Sequence, residues 1–241
     1  MSVRVAAVGD VHMDQDVLGA FRPALEDLGE VADVLLLAGD LTRHGSPEEA
    51  ECVAREFGGL DVPVIAVLGN HDFQSDRPAE VVDVLSAAGI VVLDGVSHTF
   101  DADGTSVTVA GVTGFGGGFA GRCVTVFGEP QTKAFATYGI EQAQRLRKAL
   151  DAASGTVRIA LTHYAPIPAT LRGEPPEIYP FLGSYLLGEA IDDGGARLAV
   201  HGHAHAGAPA GRTPGGVPVR NVAHPVIRRA YALLTIPANP Q

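Results

Sequence analysis

A short apolar stretch that ends abruptly in polar residues constrains this chain most. Residues 64–68 are apolar and mostly β-branched, which is typical of a strand buried on both faces. The stretch stops at Gly69 and continues as Asn70, His71 and Asp72. Ligands of open α/β sheets bind beyond the carboxyl ends of the strands, so this pattern predicts a site at a sheet edge. Taken alone, the four residues fit ordinary turn chemistry as well.

The same pattern, a buried strand followed at once by polar residues, recurs at four more predicted strand ends. Each of these strands is a short apolar run, over residues 3–8, 34–38, 157–161 and 197–200. Because the carboxyl ends of parallel strands lie at one edge of a sheet, we expect the polar residues that follow them to come together. Over the five strand ends, these residues are Asp10, His12, Asp40, Asn70, His71, His163, His203 and His205.

Predicted helices separate the first three strands. Apolar residues at helical spacing predict helices over residues 16–28 and 78–88, each followed by a glycine. Between them, Ser46, Pro47 and Glu49 form a capping box with proline at the first helical position, which predicts a helix to about Phe57. This alternation of strand and helix is typical of a parallel sheet with right-handed crossovers.

The second part of the chain begins with a predicted antiparallel hairpin, because residues 97–100 and 106–109 flank an Asp-Ala-Asp-Gly turn. Further helices are predicted over residues 138–153 and 185–191, and further strands over 217–222 and 230–236. Loops are predicted over residues 114–121 and 123–133, and a lid or binding loop over the proline-rich residues 165–183. With no repeat and no linker, residues 1–241 are interpreted as one domain.

Composition argues against several classes of protein. Hydrophobic residues at 46% and charged residues at 19% fit a soluble globular protein, and no apolar run approaches the roughly 18 residues of a membrane-spanning helix. The N-terminus lacks the pattern of a signal peptide, so we expect a cytoplasmic protein. A net charge of −11 argues against non-specific binding to nucleic acid or to a membrane. Cys52 and Cys123 are predicted to be free thiols.

The residues at the strand ends are those that bind first-row divalent metal ions, namely imidazoles, carboxylates and an amide. Eight such residues are too many for a single tetrahedral zinc ion, and the sequence has no cysteine cluster for a structural metal site. Two ions bridged by one carboxylate would use the set well. We therefore predict a centre of two divalent ions, whose identity the ligands leave open among manganese, iron, cobalt, nickel and zinc.

The order of these motifs resembles the calcineurin-like metallophosphoesterase superfamily. The pattern of that superfamily is Asp-x-His, Gly-Asp, Gly-Asn-His-Asp/Glu, a lone His and Gly-His-x-His, and this chain matches it between residues 9 and 205. The resemblance implies an α/β fold in which a two-sheet β-sandwich is flanked by helices. It also implies two metal sites, one formed by Asp10, His12, Asp40 and His205 and the other by Asp40, Asn70, His163 and His203.

The resemblance implies a catalytic role for His71, which would face the substrate phosphate as a hydrogen-bond donor or general acid. Relatives often carry an acidic residue three places past the Asp40 position, where it orients this histidine. Here that place is taken by Arg43. Asp72 is therefore expected to orient His71, unless His71 serves mainly as a hydrogen-bond donor.

Charge counting favours a phosphate ester as substrate. Two divalent ions, two aspartates and a bridging hydroxide leave a net charge of about +1, and paired ions can activate that hydroxide for in-line attack. We therefore expect a phosphoesterase that hydrolyses a phosphodiester of a small molecule, such as a nucleotide. A phosphomonoesterase acting on a small metabolite is one alternative, and a non-catalytic metal-binding scaffold is another.

Overall fold

The structure, a computed structural model, describes residues 2–238 and contains two large β-sheets with helices on their outer faces. The strands are β1 Ser2–Val8, β2 Val34–Ala38, β3 Val64–Val67, β4 Ile90–Val92, β5 Val96–Ala102, β6 Thr105–Val112, β7 Gly118–Phe119, β8 Arg122–Cys123, β9 Val157–Thr162, β10 Leu198–His201, β11 Ala210–Arg212, β12 Pro218–Asn221 and β13 Ala232–Pro237. The α-helices are α1 Leu28–Val31, α2 Pro47–Phe57, α3 Pro78–Ala87, α4 Pro130–Asp151, α5 Tyr179–Leu182, α6 Tyr185–Asp193 and α7 His224–Ile227.

Both large sheets have a parallel centre. The first sheet has the order β13-β1-β2-β3-β4, in which β1 to β4 are parallel and β13 is antiparallel to β1. The second has the order β11-β12-β10-β9-β6-β5, with antiparallel pairs only at its two edges. Strands β7 and β8 form a separate short pair. The predicted parallel β-α-β order and the predicted hairpin are both confirmed.

The core has three layers because successive side chains of a strand point to opposite faces of its sheet. In β2, Leu36 joins the core between the two sheets, whereas Leu35 and Leu37 join the core under the helices of the first sheet. In β9, Ile159 faces the core between the sheets and Ala160 faces α4 and α6. This is the predicted helix–sheet–sheet–helix sandwich.

The structure corrects the helix predicted over residues 16–28. This segment holds two 3-10 turns, Gln15–Val17 and Arg22–Ala24, and α1 begins only at Leu28. The reason is a tertiary contact, because the buried carboxylate of Glu56 accepts hydrogen bonds from the backbone N–H groups of Gly19, Phe21 and Arg22. In a regular helix, the N–H groups of Phe21 and Arg22 would instead donate to carbonyl groups of the preceding turn.

The connections were predicted less well than the strands. Helix α4 begins at Pro130, eight residues before the predicted start at Tyr138, so part of the loop predicted over 123–133 is helical. The first turns of α4 are largely exposed and polar, and they carry no apolar period for a prediction to detect. The proline-rich connection also contains the short helix α5 and two 3-10 turns.

Within residues 2–238, no helix combines the length and the apolarity that a bilayer-spanning segment needs. Cys52 and Cys123 are both free thiols, as predicted. The interpretation of residues 1–241 as one domain stays a prediction.

Candidate metal centre

The structure brings together the polar side chains that follow five of the strands. Their positions follow directly from the topology, because β1, β2 and β3 lie side by side in one sheet and β9 and β10 are neighbours in the other. The residues are Asp10 and His12 after β1, Asp40 after β2, Asn70 and His71 after β3, His163 after β9, and His203 and His205 after β10.

One group of these residues, the open cluster, consists of Asp10, His12, Asp40 and His205. Each contributes one ligand atom, and all four atoms lie within 4.8 Å of one another. The Nε2 atom of His205 is 2.8 Å from Oδ1 of Asp10, and the Nε2 atom of His12 is 3.9 Å from Oδ2 of Asp40. The side chain of His205 is 44% exposed, so this cluster faces solvent.

A second group, the buried cluster, consists of Asp40, Asn70, His163 and His203. Ligand atoms of Asp40, His163 and His203 lie within 4.8 Å of one another. Oδ1 of Asn70 is 3.0 Å from Nε2 of His163, and the His163 side chain is 0% exposed. Asp40 belongs to both clusters, so its carboxylate is placed to contact ions in both.

The backbone at this edge adopts an unusual conformation. Among residues 2–238, seven non-glycine residues have positive φ, and four of them are Asp10 (56°), His12 (43°), Asp40 (50°) and His203 (69°). Such left-handed conformations are uncommon outside glycine, and they concentrate at functional sites because the surrounding structure must hold them in place. All four are residues of the two clusters.

Two motif glycines allow the carboxylates to come this close. A β-carbon on Gly69 would lie 2.2 Å from Oδ1 of Asp40, and one on Gly202 would lie 2.3 Å from Oδ2 of Asp10. Backbone N–H groups hold the same carboxylates, because His71 donates to Asp40 at 2.8 Å and His203 donates to both oxygens of Asp10 at 3.0 and 2.9 Å. A side chain at Gly69 or Gly202 would therefore collide with the carboxylate of Asp40 or Asp10.

The charges of the buried cluster are strongly coupled. Burial opposes ionisation of Asp40, but His163 outweighs this effect and holds the pKa of the carboxyl well below its usual range. Burial likewise opposes the charge on His163, and the attraction of Asp40 raises its pKa to about 9. Burial, reinforced by His163, lowers the pKa of His203 to about 3. Histidine ligands must be neutral, so a metal ion entering this cluster would displace the proton of His163.

The donor set fits divalent metal ions. The clusters supply carboxylate oxygens, imidazole nitrogens and the amide oxygen of Asn70, the donors that suit first-row divalent ions. The Nδ1 atom of His163 is 2.9 Å from the carbonyl oxygen of Ala38, so in the neutral ring Nδ1–H donates and Nε2 keeps its lone pair toward the cluster. Both clusters can therefore hold a metal ion.

His71 lies next to both clusters without belonging to either. Its Nε2 atom is 4.0 Å from Oδ2 of Asp40, its ring centroid is 4.5 Å from that of His12, and 39% of the side chain is exposed. Its Nδ1 atom is 2.7 Å from the carbonyl oxygen of Arg43. Donation from Nδ1–H to this carbonyl fixes the ring and leaves Nε2 available to a substrate.

The structure corrects the expected contact between Asp72 and His71. The fully buried carboxylate of Asp72 accepts hydrogen bonds from the backbone of Leu41, Thr42 and Gly69 and from the hydroxyl of Thr42, and within residues 2–238 none of its hydrogen bonds reaches the ring of His71. Asp72 instead fastens the loop after β2 to the turn after β3. The backbone carbonyl of Arg43, which leaves no signal in a sequence, orients His71.

His201, the last residue of β10, is fully buried. Its Nδ1 and Nε2 atoms lie 2.7 Å from the carbonyl oxygen of Gly202 and 2.9 Å from the hydroxyl of Thr170. Burial lowers its pKa to about 4, so the ring is neutral and supports the loop that carries Gly202 and His203. His44, by contrast, lies at the surface and contacts Glu49 at 2.8 Å.

A two-sheet sandwich that gathers aspartate, asparagine and histidine side chains at its strand ends is the arrangement of a protein able to bind metal ions. The calcineurin-like phosphoesterase family matches residues 3–207, and the chain belongs to that family. The resemblance seen in the sequence motifs is thereby confirmed.

Two curated relatives match part of the chain. A probable cyclic nucleotide phosphodiesterase of Synechococcus is 33% identical over 91 residues, which cover 34% of this chain and 35% of the relative. The uncharacterized protein YpbG of Bacillus subtilis is 27% identical over 109 residues, 44% of this chain and 39% of the relative. These matches thus span well under half the length of each curated relative.

The crystal structure of the phosphopantetheinyl hydrolase from Mycobacterium tuberculosis superposes with a TM-score of 0.68 at 18% identity, covering 100% of this chain and 98% of that one. At this level of identity, the superposition shows a common fold.

Proposed function

We propose that this protein is a dinuclear metal-dependent phosphodiesterase that acts on a small molecule with a nucleotide-like group. The observation that carries the proposal is the pair of ligand clusters joined by Asp40, with Nε2 of His71 beside them. A centre of this kind serves hydrolysis of phosphate esters because it concentrates positive charge where the phosphoryl oxygens bind.

We propose that seven residues bind the two ions in the division that the sequence motifs suggested. The open cluster would hold one ion through Asp10, His12, Asp40 and His205, and the buried cluster the other through Asp40, Asn70, His163 and His203. When bound, two such ions polarise a phosphoryl oxygen, activate water and orient the ester. Manganese is a suitable first choice for refilling, although the ligands also suit iron, cobalt, nickel and zinc.

Net charge favours a diester over a monoester. Two divalent ions would bring four positive charges, and Asp10, Asp40 and a hydroxide would bring three negative ones if the histidines bind as neutral ligands. The resulting small positive excess is matched by the single negative charge of a diester. The name of the Synechococcus relative, a probable cyclic nucleotide phosphodiesterase, supports the same choice.

His71 would act on the substrate directly. Its Nδ1–H is directed to the carbonyl of Arg43, so the Nε2 atom faces outward beside Asp40. A protonated Nε2 could donate a hydrogen bond to a phosphoryl oxygen, or transfer its proton to the leaving oxygen as a general acid. The side-chain cation of Arg43 pairs with Asp14 at 2.5 Å, so Arg43 contributes here through its backbone.

The first experiment compares the hydrolysis of bis-p-nitrophenyl phosphate and p-nitrophenyl phosphate by metal-stripped protein refilled with manganese. We expect turnover of the diester that disappears with a chelator. Turnover of the monoester alone would replace the proposal with a phosphomonoesterase. No turnover of either ester, with several metals, would favour a non-catalytic binding protein.

The second experiment tests His71. In His71→Asn, both ions are expected to stay bound while turnover of the diester falls by roughly 10²–10⁴-fold, the usual contribution of a general acid or base. His44→Asn removes a surface histidine outside the clusters and is the matched control. Unchanged turnover in His71→Asn would remove His71 from the mechanism.

The cellular setting stays a prediction. We propose a cytoplasmic location, and the net charge of −11 argues against non-specific binding to nucleic acid.

A further inference from the structure

We propose that an aromatic cleft next to the buried cluster binds a planar ring of the substrate, such as a nucleobase, and selects for esters that carry one. This inference rests on the proposed function, because it assigns a substrate class to the same site. The cleft has a volume of about 170 Å³, enough for a ring and too small for a complete nucleotide. Its lining residues are Asn70, Phe73, Thr113, Gly114, Phe115, Tyr138 and Tyr164.

The cleft is continuous with the metal centre. Asn70 lines the cleft and also lies 3.0 Å from His163 in the buried cluster. Tyr164 follows His163 directly, and its ring centroid is 4.3 Å from that of His203. A phosphate held at the clusters would therefore place one of its ester groups at the mouth of the cleft.

The aromatic side chains come from both halves of the sandwich. Phe73 follows the His71-Asp72 turn after β3, whereas Phe115 follows β6 and Tyr138 lies on α4. The ring of Phe115 contacts Tyr138 edge to face at a centroid distance of 4.7 Å, and lies 5.7 Å from the ring of Tyr164. These contacts hold the wall formed by the three rings in a fixed arrangement.

Two of the rings remain exposed in spite of their size. Phe73 is 40% exposed and Tyr138 is 43% exposed, and both line the cleft that Asn70 of the buried cluster also lines. Exposed aromatic faces beside a catalytic centre are suited to stacking, which tolerates different bases because every base has a π-face. The cleft is lined by no charged side chain, which favours a neutral ring over a second phosphate.

The test measures the contribution of the ring by calorimetric titration of manganese-loaded protein with two ligands. AMP and ribose 5-phosphate share a sugar and a phosphate, and they differ in the presence of the base. We expect AMP to bind about 5- to 100-fold more tightly, the range that stacking of one base provides. If AMP is hydrolysed, the His71→Asn protein replaces the wild type in all titrations.

The variants assign this preference to the cleft. Tyr138→Ala and Phe73→Leu should each weaken binding of AMP about 5-fold or more and leave binding of ribose 5-phosphate unchanged. Tyr138→Phe keeps the ring and should keep the preference. Phe127→Ala removes an 80% exposed ring that does not line the cleft, and should have no effect.

The results separate this inference from the proposed function. Equal affinity for AMP and ribose 5-phosphate, or failure of both to bind, would overturn the aromatic cleft as a subsite even if bis-p-nitrophenyl phosphate is hydrolysed. The same holds if Tyr138→Ala weakens both ligands equally. Conversely, a preference for AMP that is lost in Tyr138→Ala would support the subsite even if hydrolysis of diesters is not observed.

Discussion

The two ligand clusters share Asp40 but differ in the number of carboxylates and in the exposure of one histidine of each. The open cluster has two carboxylates and includes His205, whose side chain is 44% exposed. The buried cluster has one carboxylate and includes His163, whose side chain is 0% exposed and whose Nδ1 atom contacts the carbonyl oxygen of Ala38. The two clusters thus differ chemically, as their different sets of side chains in the sequence motifs suggest.

This difference predicts different behaviour of the two ions. Solvent can reach the open cluster, so a chelator can compete directly for an ion held there. An ion in the buried cluster would bind His163, whose side chain is 0% exposed, although Asn70 is exposed and His203 is partly buried. We therefore expect slower exchange at the buried cluster and faster exchange at the open one.

The largest effect is expected for Asp40→Asn, which removes the negative charge common to both clusters. Loss of this charge should release at least one ion and bring turnover of bis-p-nitrophenyl phosphate to the level of metal-free protein. The measurements are metal content per chain and initial rate. Asp151→Asn, at an exposed position on α4, is the control. Full metal occupancy in Asp40→Asn would contradict the shared position of this carboxylate.

A pair of variants separates the clusters. His205→Asn should affect the open cluster, and His163→Asn the buried one. When a chelator is added to the wild-type protein, we expect metal to leave in a fast and a slow phase. The fast phase should be missing in His205→Asn and the slow phase in His163→Asn. If both variants lose the same phase, the clusters do not exchange independently.

The clustering of the polar residues that follow the strands was the most predictable part of the molecule because its signals are local. Each ligand lies within a few residues of the end of a buried strand, and parallel strands bring such ends to one edge of a sheet. Knowledge of the strand order was not needed to expect that Asp10, Asp40 and Asn70 would be near one another. Even Phe73 and Tyr164 could have been noticed, since each directly follows a motif residue.

The parts that were not predicted depend on groups far away in the sequence or on the backbone. Residues 16–28 have a helical pattern, but the carboxylate of Glu56 captures their backbone donors. His71 is oriented by the carbonyl group of Arg43, and every residue type has such a group. The sequence suggested Asp72 for that role because only side chains can be compared in a sequence.

A smaller effect is expected for Gly202→Ala. The new methyl group would lie 2.3 Å from Oδ2 of Asp10, so this carboxylate must move. Affinity of the open cluster should fall by about 10–100-fold, the usual effect of disturbing a group that positions a ligand. Competitive titration of manganese measures it. Gly29→Ala is a control, because a β-carbon at Gly29 meets its nearest atom, Oδ2 of Asp61, at 3.4 Å. An equal loss at both clusters would contradict the specific contact with Asp10.

The smallest effect on metal binding is expected for Thr42→Val. Thr42 contacts Asp72, which holds the loop that follows the shared residue Asp40. The Thr42 hydroxyl donates to Asp72 at 2.6 Å and accepts from the backbone of Gly45 at 3.1 Å. Valine keeps the shape and removes both hydrogen bonds, so the free energy of unfolding should fall by about 1–3 kcal/mol. Denaturant unfolding of metal-free protein measures this loss.

Because Asp72 holds the loop that follows Asp40, Thr42→Val should weaken metal binding at both clusters to a similar and modest extent. Thr99→Val is the matched control, since it removes a threonine hydroxyl that contacts Thr108 at 2.7 Å in the β5–β6 hairpin. It should lower stability without changing affinity for manganese. A selective loss at one cluster in Thr42→Val would show that this loop supports one site and not the shared carboxylate.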